Sequence, residues 1–207
     1  VQTCALPILH RERYRDFLGA LHALGARGVR LHYIEGNHDF LLKQAFAEVP
    51  GMQIHRDEFQ LRAGGRQFWI AHGDLADQAD YGYRFTRRFF RSPVARALAR
   101  SLPDTWVDEI GTGLSSGSRG SRPWVMDDLP MERRSSLRAI YRAYAAKHLM
   151  EGADFAILGH CHDLDGIEFH VGGRDVQYLN VGFPPVHRTS IAWESGSGRM
   201  QRIPFEI

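Results

Sequence analysis

The sequence predicts an α/β fold, because a helical stretch and a strand alternate at its start and three apolar stretches each end in histidine-containing motifs. Residues 10–26 carry apolar side chains at helical spacing, and Gly25 and Gly28 are expected to end that helix. Residues 29–34 then form a predicted strand.

Three predicted strands end in the motifs GNHD, HGD and GHCH. In open α/β sheets, ligands bind in the crevice at the carboxyl ends of the strands, so we expect the three ends to meet at one edge. The polar residues that the motifs place there are Asn37, His38, Asp39, His72, Asp74, His160 and His162.

The segment 81–148 is the basic part of the chain, with thirteen Lys and Arg against six Asp and Glu in a protein of net charge +2. Helical patterns near 81–101 and 131–150 flank a Ser/Gly/Arg-rich link at 113–122. We interpret 81–148 as a helical lid inserted into a core formed by 1–80 and 149–207. Its arginines and aromatic residues suit an anionic amphiphile or membrane surface, or equally a solvated helix face over apolar core positions.

Beyond residue 163 the pattern changes to short strands with Gly-rich turns, at 167–171, 176–181, 188–193 and 199–205. No apolar run is long enough to span a bilayer, and no secretory signal opens the chain, so a cytoplasmic location is expected. Two cysteines are too few for a disulfide framework.

Histidine, asparagine and carboxylate side chains on neighbouring loops form mixed nitrogen and oxygen sites for Mn²⁺, Fe²⁺ or Zn²⁺. Two such ions about 3.5–4 Å apart can hold both oxygens of a phosphoryl transfer. Each motif alone has an ordinary explanation as turn chemistry or a satisfied buried histidine. The three together favour a metal site, because buried imidazoles without partners are costly.

In this order, GNHD, HGD and GHCH resemble the last signature blocks of the calcineurin-like metallophosphoesterases. Within that superfamily, GNHDFLL, the run from Asp80 to Arg87 and the Arg-rich insertion resemble the UDP-2,3-diacylglucosamine diphosphatase family, from about residue 10 to the end. The resemblance implies a four-layer αββα sandwich and hydrolysis of a nucleotide-linked lipid to UMP and lipid X in lipid A synthesis. It also implies two divalent ions, with Mn²⁺ favoured.

Carried over by motif, the resemblance gives each residue an expected role. His38 stands beside the reacting phosphate as a catalytic residue, with Asp39 orienting its ring. The metal ligands are Asn37, His72 and His160 for one ion and His162 for the other; the substrate-binding residues are Asp80, Tyr83, Arg87, Ser118 and Arg122.

Two departures from the family pattern qualify these expectations. The diphosphatases commonly have arginine at the position of His38. The Asp-x-His and Gly-Asp-x-x-Asp blocks that begin the superfamily are absent, so we expect an N-terminally truncated chain in which residues 1–8 are not native. Such a chain would bind at most one divalent ion well and would be a poor catalyst.

Two alternatives remain open on the sequence. One is a general metallophosphodiesterase with another substrate, and the other is a non-catalytic remnant that binds anionic lipid. The resemblance and the basic insertion imply peripheral contact with the cytoplasmic face of the inner membrane, and no nucleic-acid partner is expected.

Overall fold

The computed structural model describes residues 14–36, 46–92 and 126–206. The chain divides into two compact units. The sheet unit comprises residues 58–78 and 123–207, and the N-terminal unit comprises residues 2–57 and 79–122. The predicted metal ligand Asn37, the predicted catalytic residues His38 and Asp39, and the predicted substrate-binding residues Ser118 and Arg122 lie outside the described residues.

The described part of the N-terminal unit contains α1 (Arg15–Ala26), β1 (Leu31–Ile34), β2 (Met52–His55) and α2 (Tyr81–Phe90). β1 and β2 pair in parallel. The turn after α1 passes through Gly28 at φ +84°, a conformation that glycine adopts without strain, so its predicted role at the helix end is confirmed. Phe46 and Val49 form the buried centre of this unit.

A mixed five-stranded sheet dominates the other unit, with strand order β3-β4-β5-β7-β6. The three central strands run parallel and the two edge strands are antiparallel to their neighbours. The elements are β3 (Glu58–Ala63), β4 (Arg66–Ala71), α3 (Met131–Met150), β5 (Phe155–Leu158), β6 (Gly166–Val171), β7 (Arg174–Asn180), α4 (Pro184–His187), β8 (Thr189–Ala192) and β9 (Gln201–Pro204). A 3₁₀ turn at Met126–Asp128 precedes α3.

Helix α3 covers one face of this sheet. Its buried residues Tyr141, Ala145 and Leu149 are spaced by four, which aligns them on one side of a helix. They pack with Trp69 and Tyr178 in one apolar cluster. α3 lies within the predicted lid, yet it packs against the sheet, and the boundaries predicted for core and lid remain a prediction.

Residues of the C-terminal segment that contains β8 and β9 pack on the opposite face of the sheet. The Phe68 and Phe155 rings pack at a tilt of 34° with centroids 4.8 Å apart, and the Trp193 ring contacts the Phe68 ring edge-on. Buried Met200, just before β9, completes this cluster. Parallel strands are typically buried on both faces, and β5 shows this in its continuous apolar sequence Phe-Ala-Ile-Leu.

The predicted α/β class is confirmed, and each strand predicted after residue 163 is present with bounds within a few residues. β2 and β3 were not predicted, because their short segments carry mixed polar and apolar residues between two stronger patterns. Among the described helices, none combines the length and apolar character that crossing a bilayer requires.

Candidate functional site

Two of the three histidine-containing motifs meet at one edge of the five-stranded sheet. β4 ends at Ala71, β5 ends at Leu158, and the two strands are parallel neighbours. His72 and the Gly159-His160 turn therefore leave the sheet at the same edge. The convergence predicted for these two strand ends is confirmed, whereas the strand before GNHD belongs to the N-terminal unit and its part of the convergence stays a prediction.

The side chains of His72 and His160 contact each other directly. Nε2 of His72 lies 3.1 Å from Nδ1 of His160, and the rings are nearly perpendicular with centroids 5.0 Å apart. Two nitrogens that each lie about 2.0–2.1 Å from one ion would be separated by about 2.8–3.0 Å at octahedral angles and by about 3.3–3.4 Å at tetrahedral angles, and 3.1 Å lies between these values. The observed separation thus suits either a hydrogen bond between the two rings or shared coordination of one divalent ion.

Gly73 allows the turns after β4 and β5 to approach this closely. Its φ of +100° is unfavourable for other residues, and a Cβ there would lie 3.1 Å from the carbonyl oxygen of Gly159. The backbone N–H of Gly159 donates to the carbonyl of His72 at 3.0 Å. Steric exclusion therefore explains the glycine in HGD, because a side chain at this position would push the two histidine-bearing turns apart.

The segment 159–162, here called the histidine turn, has an unusual backbone. His160 and His162 adopt φ values of +66° and +55° in the left-handed region, which is uncommon for residues other than glycine. The His162 ring stacks on Phe183 with centroids 4.5 Å apart. Between the histidines, burial raises the pKa of the Cys161 thiol to about 12, so this sulfur stays protonated and is unsuited to act as a nucleophile.

Asn180, at the end of β7, ties this turn to the sheet. Its fully buried side chain donates from Nδ2 to the Gly159 carbonyl and to Cys161 Sγ, each at 3.1 Å. Its Oδ1 accepts from the backbone N–H of Gly182 at 3.2 Å. One amide thus fixes both the start of the histidine turn and the turn after β7.

Two aspartates that follow the histidine turn are buried and paired with α3. Asp163 accepts from Arg134 at 3.0 Å and from Arg138 at 2.5 and 2.9 Å. Asp165 accepts from Arg142 at 2.8 and 2.6 Å. Burial alone raises the pKa of Asp163, but hydrogen bonds from Arg138 and Arg134 outweigh burial and hold this pKa below its ordinary value. We call these five residues the arginine ladder.

The described substrate-binding candidates lie at α2 in the N-terminal unit. Asp80 caps α2, where its Oδ1 accepts from the backbone N–H of Tyr83 at 2.9 Å. Arg87 pairs with Asp57 at 2.5 Å. Both polar side chains therefore have structural contacts within their own unit, and their predicted roles toward substrate remain predictions.

Within the described ranges, no three His, Cys, Asp or Glu side chains group into a complete metal site. The pair His72 and His160 is the part of the predicted ligand set that the structure brings together, while Asn37 lies outside these ranges. Imidazole pairs suit Zn²⁺, Fe²⁺ and Mn²⁺ when oxygen ligands complete the shell, so the donor chemistry fits the expected ion.

The sequence reasoning missed the polar residues that hold the histidine turn. Two signals were available: arginines spaced by four in RSSLRAIYR, and the Asp-x-Asp directly after GHCH. Neither pattern predicts the ion pairs, because the arginines and the aspartates are more than twenty residues apart in the sequence. Asn180 lies in the predicted strand 176–181, and no sequence pattern there indicates its contacts with the histidine turn.

No protein-family model matches the chain. Several curated proteins are similar to it, all named UDP-2,3-diacylglucosamine hydrolase. The protein from Stutzerimonas stutzeri is 27% identical over 147 residues, covering 71% of this chain and 61% of the relative. That from Serratia proteamaculans is 32% identical over 114 residues, covering 55% and 48%. That from Enterobacter sp. (strain 638) is 29% identical over 198 residues, covering 93% and 73%.

The chain thus spans about half to three quarters of the length of these relatives. The similarity to the Enterobacter protein extends along nearly all of the chain and includes the segments that carry the histidine pair, α2 and α3. The family resemblance of GNHD, HGD and GHCH agrees with these matches, and the chain is similar to proteins named UDP-2,3-diacylglucosamine hydrolase.

Proposed function

We propose that the chain carries the hydrolase activity for which its relatives are named, the metal-dependent cleavage of UDP-2,3-diacylglucosamine. The observation that carries the proposal is the contact of His72 Nε2 with His160 Nδ1 at the shared edge of β4 and β5. Packing alone does not require two imidazoles from separate strands to face each other there. The products of the proposed reaction are UMP and lipid X, and the proposed architecture is the four-layer sandwich of the metallophosphoesterases.

His72 and His160 would hold one divalent ion together with Asn37, and His162 would contribute to a second. Divalent ions supply a Lewis acid for the phosphate oxygens and lower the pKa of a water. The chain's own part is to present imidazole nitrogens in neutral form and to keep their rings in place.

The direct test measures UMP release from UDP-2,3-diacylglucosamine with Mn²⁺ present. We expect His72→Ala to abolish turnover, because the variant removes one of two facing imidazoles. His170→Ala is the matched control, since the His170 side chain is 63% exposed on β6 and pairs with Asp175. Turnover near the parent rate in His72→Ala would refute the metal role of this histidine.

The same assay separates the runner-up function. Turnover of bis(p-nitrophenyl) phosphate without UMP release from the lipid nucleotide would favour a general metallophosphodiesterase. The feature that supports a general metallophosphodiesterase is His38, because the diphosphatases commonly have arginine at this position.

We also propose that α2 contacts an anionic lipid surface. Tyr81 and Phe85 lie one turn apart and are 77% and 75% exposed, and Arg84 and Arg88 on the same helix are exposed as well. Exposed aromatic rings flanked by arginines suit the interface of a membrane that carries negative headgroups. This surface is the specific support for peripheral membrane contact.

Liposome sedimentation tests the lipid proposal independently of catalysis. We expect Phe85→Ser to weaken binding to vesicles that contain phosphatidylglycerol, while Val186→Ser, at a 56% exposed apolar position on α4, serves as the control. Equal sedimentation of Phe85→Ser and the parent with anionic vesicles would exclude α2 as the contact surface.

A further inference from the structure

We infer that the arginine ladder is a positioning device for the histidine turn, so that α3 sets the geometry of His160 and His162. The inference deepens the proposed function, on which it rests, by naming what holds its ligands. It concerns Arg134, Arg138 and Arg142 together with Asp163 and Asp165, residues for which the motifs predicted no role.

The histidine turn needs an external restraint. Two non-glycine residues in the left-handed region within three positions form a backbone that persists only where the surroundings determine it. Hydrogen bonds from Asn180 restrain the first half of the turn, at Gly159 and Cys161. The second half has its restraint one residue farther on, at Asp163.

The ladder restrains that second half in a defined orientation. Arg138 binds both oxygens of Asp163 through Nε and Nη2, and Arg142 binds both oxygens of Asp165 through the same two atoms. A planar guanidinium with two parallel hydrogen bonds fixes both the position and the plane of a carboxylate. Arg202 adds a contact from β9, since its Nη2 donates to the backbone carbonyl of Asp165 at 2.7 Å.

The ladder connects α3 directly to the residue after His162. Arg134, Arg138 and Arg142 recur every four residues, so they lie along one face of α3, where they meet two aspartates in the segment just before β6. Tyr141, Ala145 and Leu149 anchor the same helix in the sheet core. The ion pairs between α3 and the two aspartates therefore fix the position of the histidine turn relative to this helix.

Stability alone is a poor explanation for this arrangement. A buried ion pair is often no more stabilising than apolar residues of the same volume, because both charges lose their hydration. Its geometric effect differs from that of apolar packing, since two-point hydrogen bonds define one orientation. Residues that orient metal ligands in this way typically change metal affinity or activity by about 10–100-fold when altered.

The test compares Arg138→Lys with Arg133→Lys in the full chain. Lysine at 138 keeps the charge but loses the two-point contact with Asp163, whereas Arg133 is exposed on the same helix and serves as the matched control. The measurements are Mn²⁺ affinity by calorimetry and the imidazole ¹⁵N resonances of the metal-free chain. We expect Arg138→Lys to shift the His160 and His162 signals and to weaken Mn²⁺ binding by about 10-fold, leaving His170 unchanged.

Each outcome decides the inference separately from the proposed function. Unchanged His160 and His162 signals and unchanged Mn²⁺ affinity in Arg138→Lys would overturn the inference, even if the melting temperature fell. A parent chain without Mn²⁺ binding would count against the proposed function, yet shifted histidine signals in Arg138→Lys would still support the ladder's role. Should Arg138→Lys not fold, Arg142→Lys is expected to cause the same shifts at smaller size, and their absence would overturn the inference.

Discussion

The carboxyl ends of the sheet strands and the helix α2 differ in the partners that their predicted site residues contact. At the sheet edge, His72 and His160 come from segments 88 residues apart and contact each other at 3.1 Å. On α2, Asp80 caps its own helix and Arg87 pairs with Asp57. The first region holds polar groups against each other, whereas the second uses them to fasten a helix whose aromatic residues Tyr81 and Phe85 face outward.

The difference follows from secondary structure. Parallel neighbouring strands must end at the same edge, so residues just after them converge whatever their local contacts. A polar side chain beside a helix N-terminus can instead accept a hydrogen bond from an unpaired backbone N–H of that helix, so it finds its partner locally. Strand-end motifs therefore give firmer site predictions than polar residues on or beside a helix.

The largest expected effect lies at the sheet edge. His160→Ala should weaken Mn²⁺ binding by more than about 100-fold, because removing a ligand exceeds the effect of altering its outer partners. Calorimetric titration of the variant against the parent measures the loss. Retained affinity within a factor of about three would mean that the contact with His72 is an ordinary hydrogen bond between rings.

The next effect concerns the buried amide that holds the histidine turn. Asn180→Ala should lower the free energy of unfolding by about 1–3 kcal/mol, since it leaves the Gly159 carbonyl and the Gly182 N–H buried without this partner. Urea unfolding provides the value. Gln60→Ala, which removes an exposed contact with Gln67, is the control and should change stability by less than about 0.5 kcal/mol.

A smaller effect separates capping from substrate binding at Asp80. Asp80→Ala should destabilise the protein by about 1 kcal/mol, whereas Asp80→Ser should restore most of that loss because serine also caps helices. Thermal unfolding of both variants measures the cap. If Asp80→Ser is stable yet loses UMP release, the carboxylate has a role toward substrate beyond the cap.

The smallest effect is expected at the ion pair beside α2. Asp57→Asn should cost about 1 kcal/mol or less, because the Asp57 carboxylate, which pairs with both Arg87 and Arg91, is 51% exposed to water that screens these pairs. Arg91 keeps backbone contacts with Arg56, Glu35 and Gly36 in this variant. A loss above about 2 kcal/mol in urea unfolding would show that Asp57 organises this region more strongly than its exposure indicates.

The sequence was sufficient for the strand ends and for several helix limits. A continuous apolar run such as FAIL predicts a strand buried on both faces, and the residue that follows such a strand has little freedom of position. The expected place of His72 and His160 at one edge followed from that constraint alone. Local patterns also predicted α3, whose described bounds are Met131–Met150.

Neither β2 nor β3 was predicted: β2 has only four residues, whereas β3 alternates apolar Phe59, Leu61 and Ala63 with polar residues, which is a strand signal. The sequence also assigned α3 to the predicted lid, which remains a prediction, because arginines dominate the composition of that region and the apolar face of the helix is narrow. Tyr141, Ala145 and Leu149 show that face to be in the core. Charge counts describe a segment's surface, whereas three residues spaced by four decide where the helix packs.

By itself, the sequence determined which residues can carry metal chemistry and which strands deliver them, because these properties depend on side-chain type and on local periodicity. Only the tertiary structure decided what holds them in place. Asn180 lies 21 residues along the chain from Gly159, and Arg138 lies 25 residues from Asp163. No local pattern encodes partners at such separations, since the pairing of β5 with β7 brings Asn180 to Gly159 and the packing of α3 on the sheet brings Arg138 to Asp163.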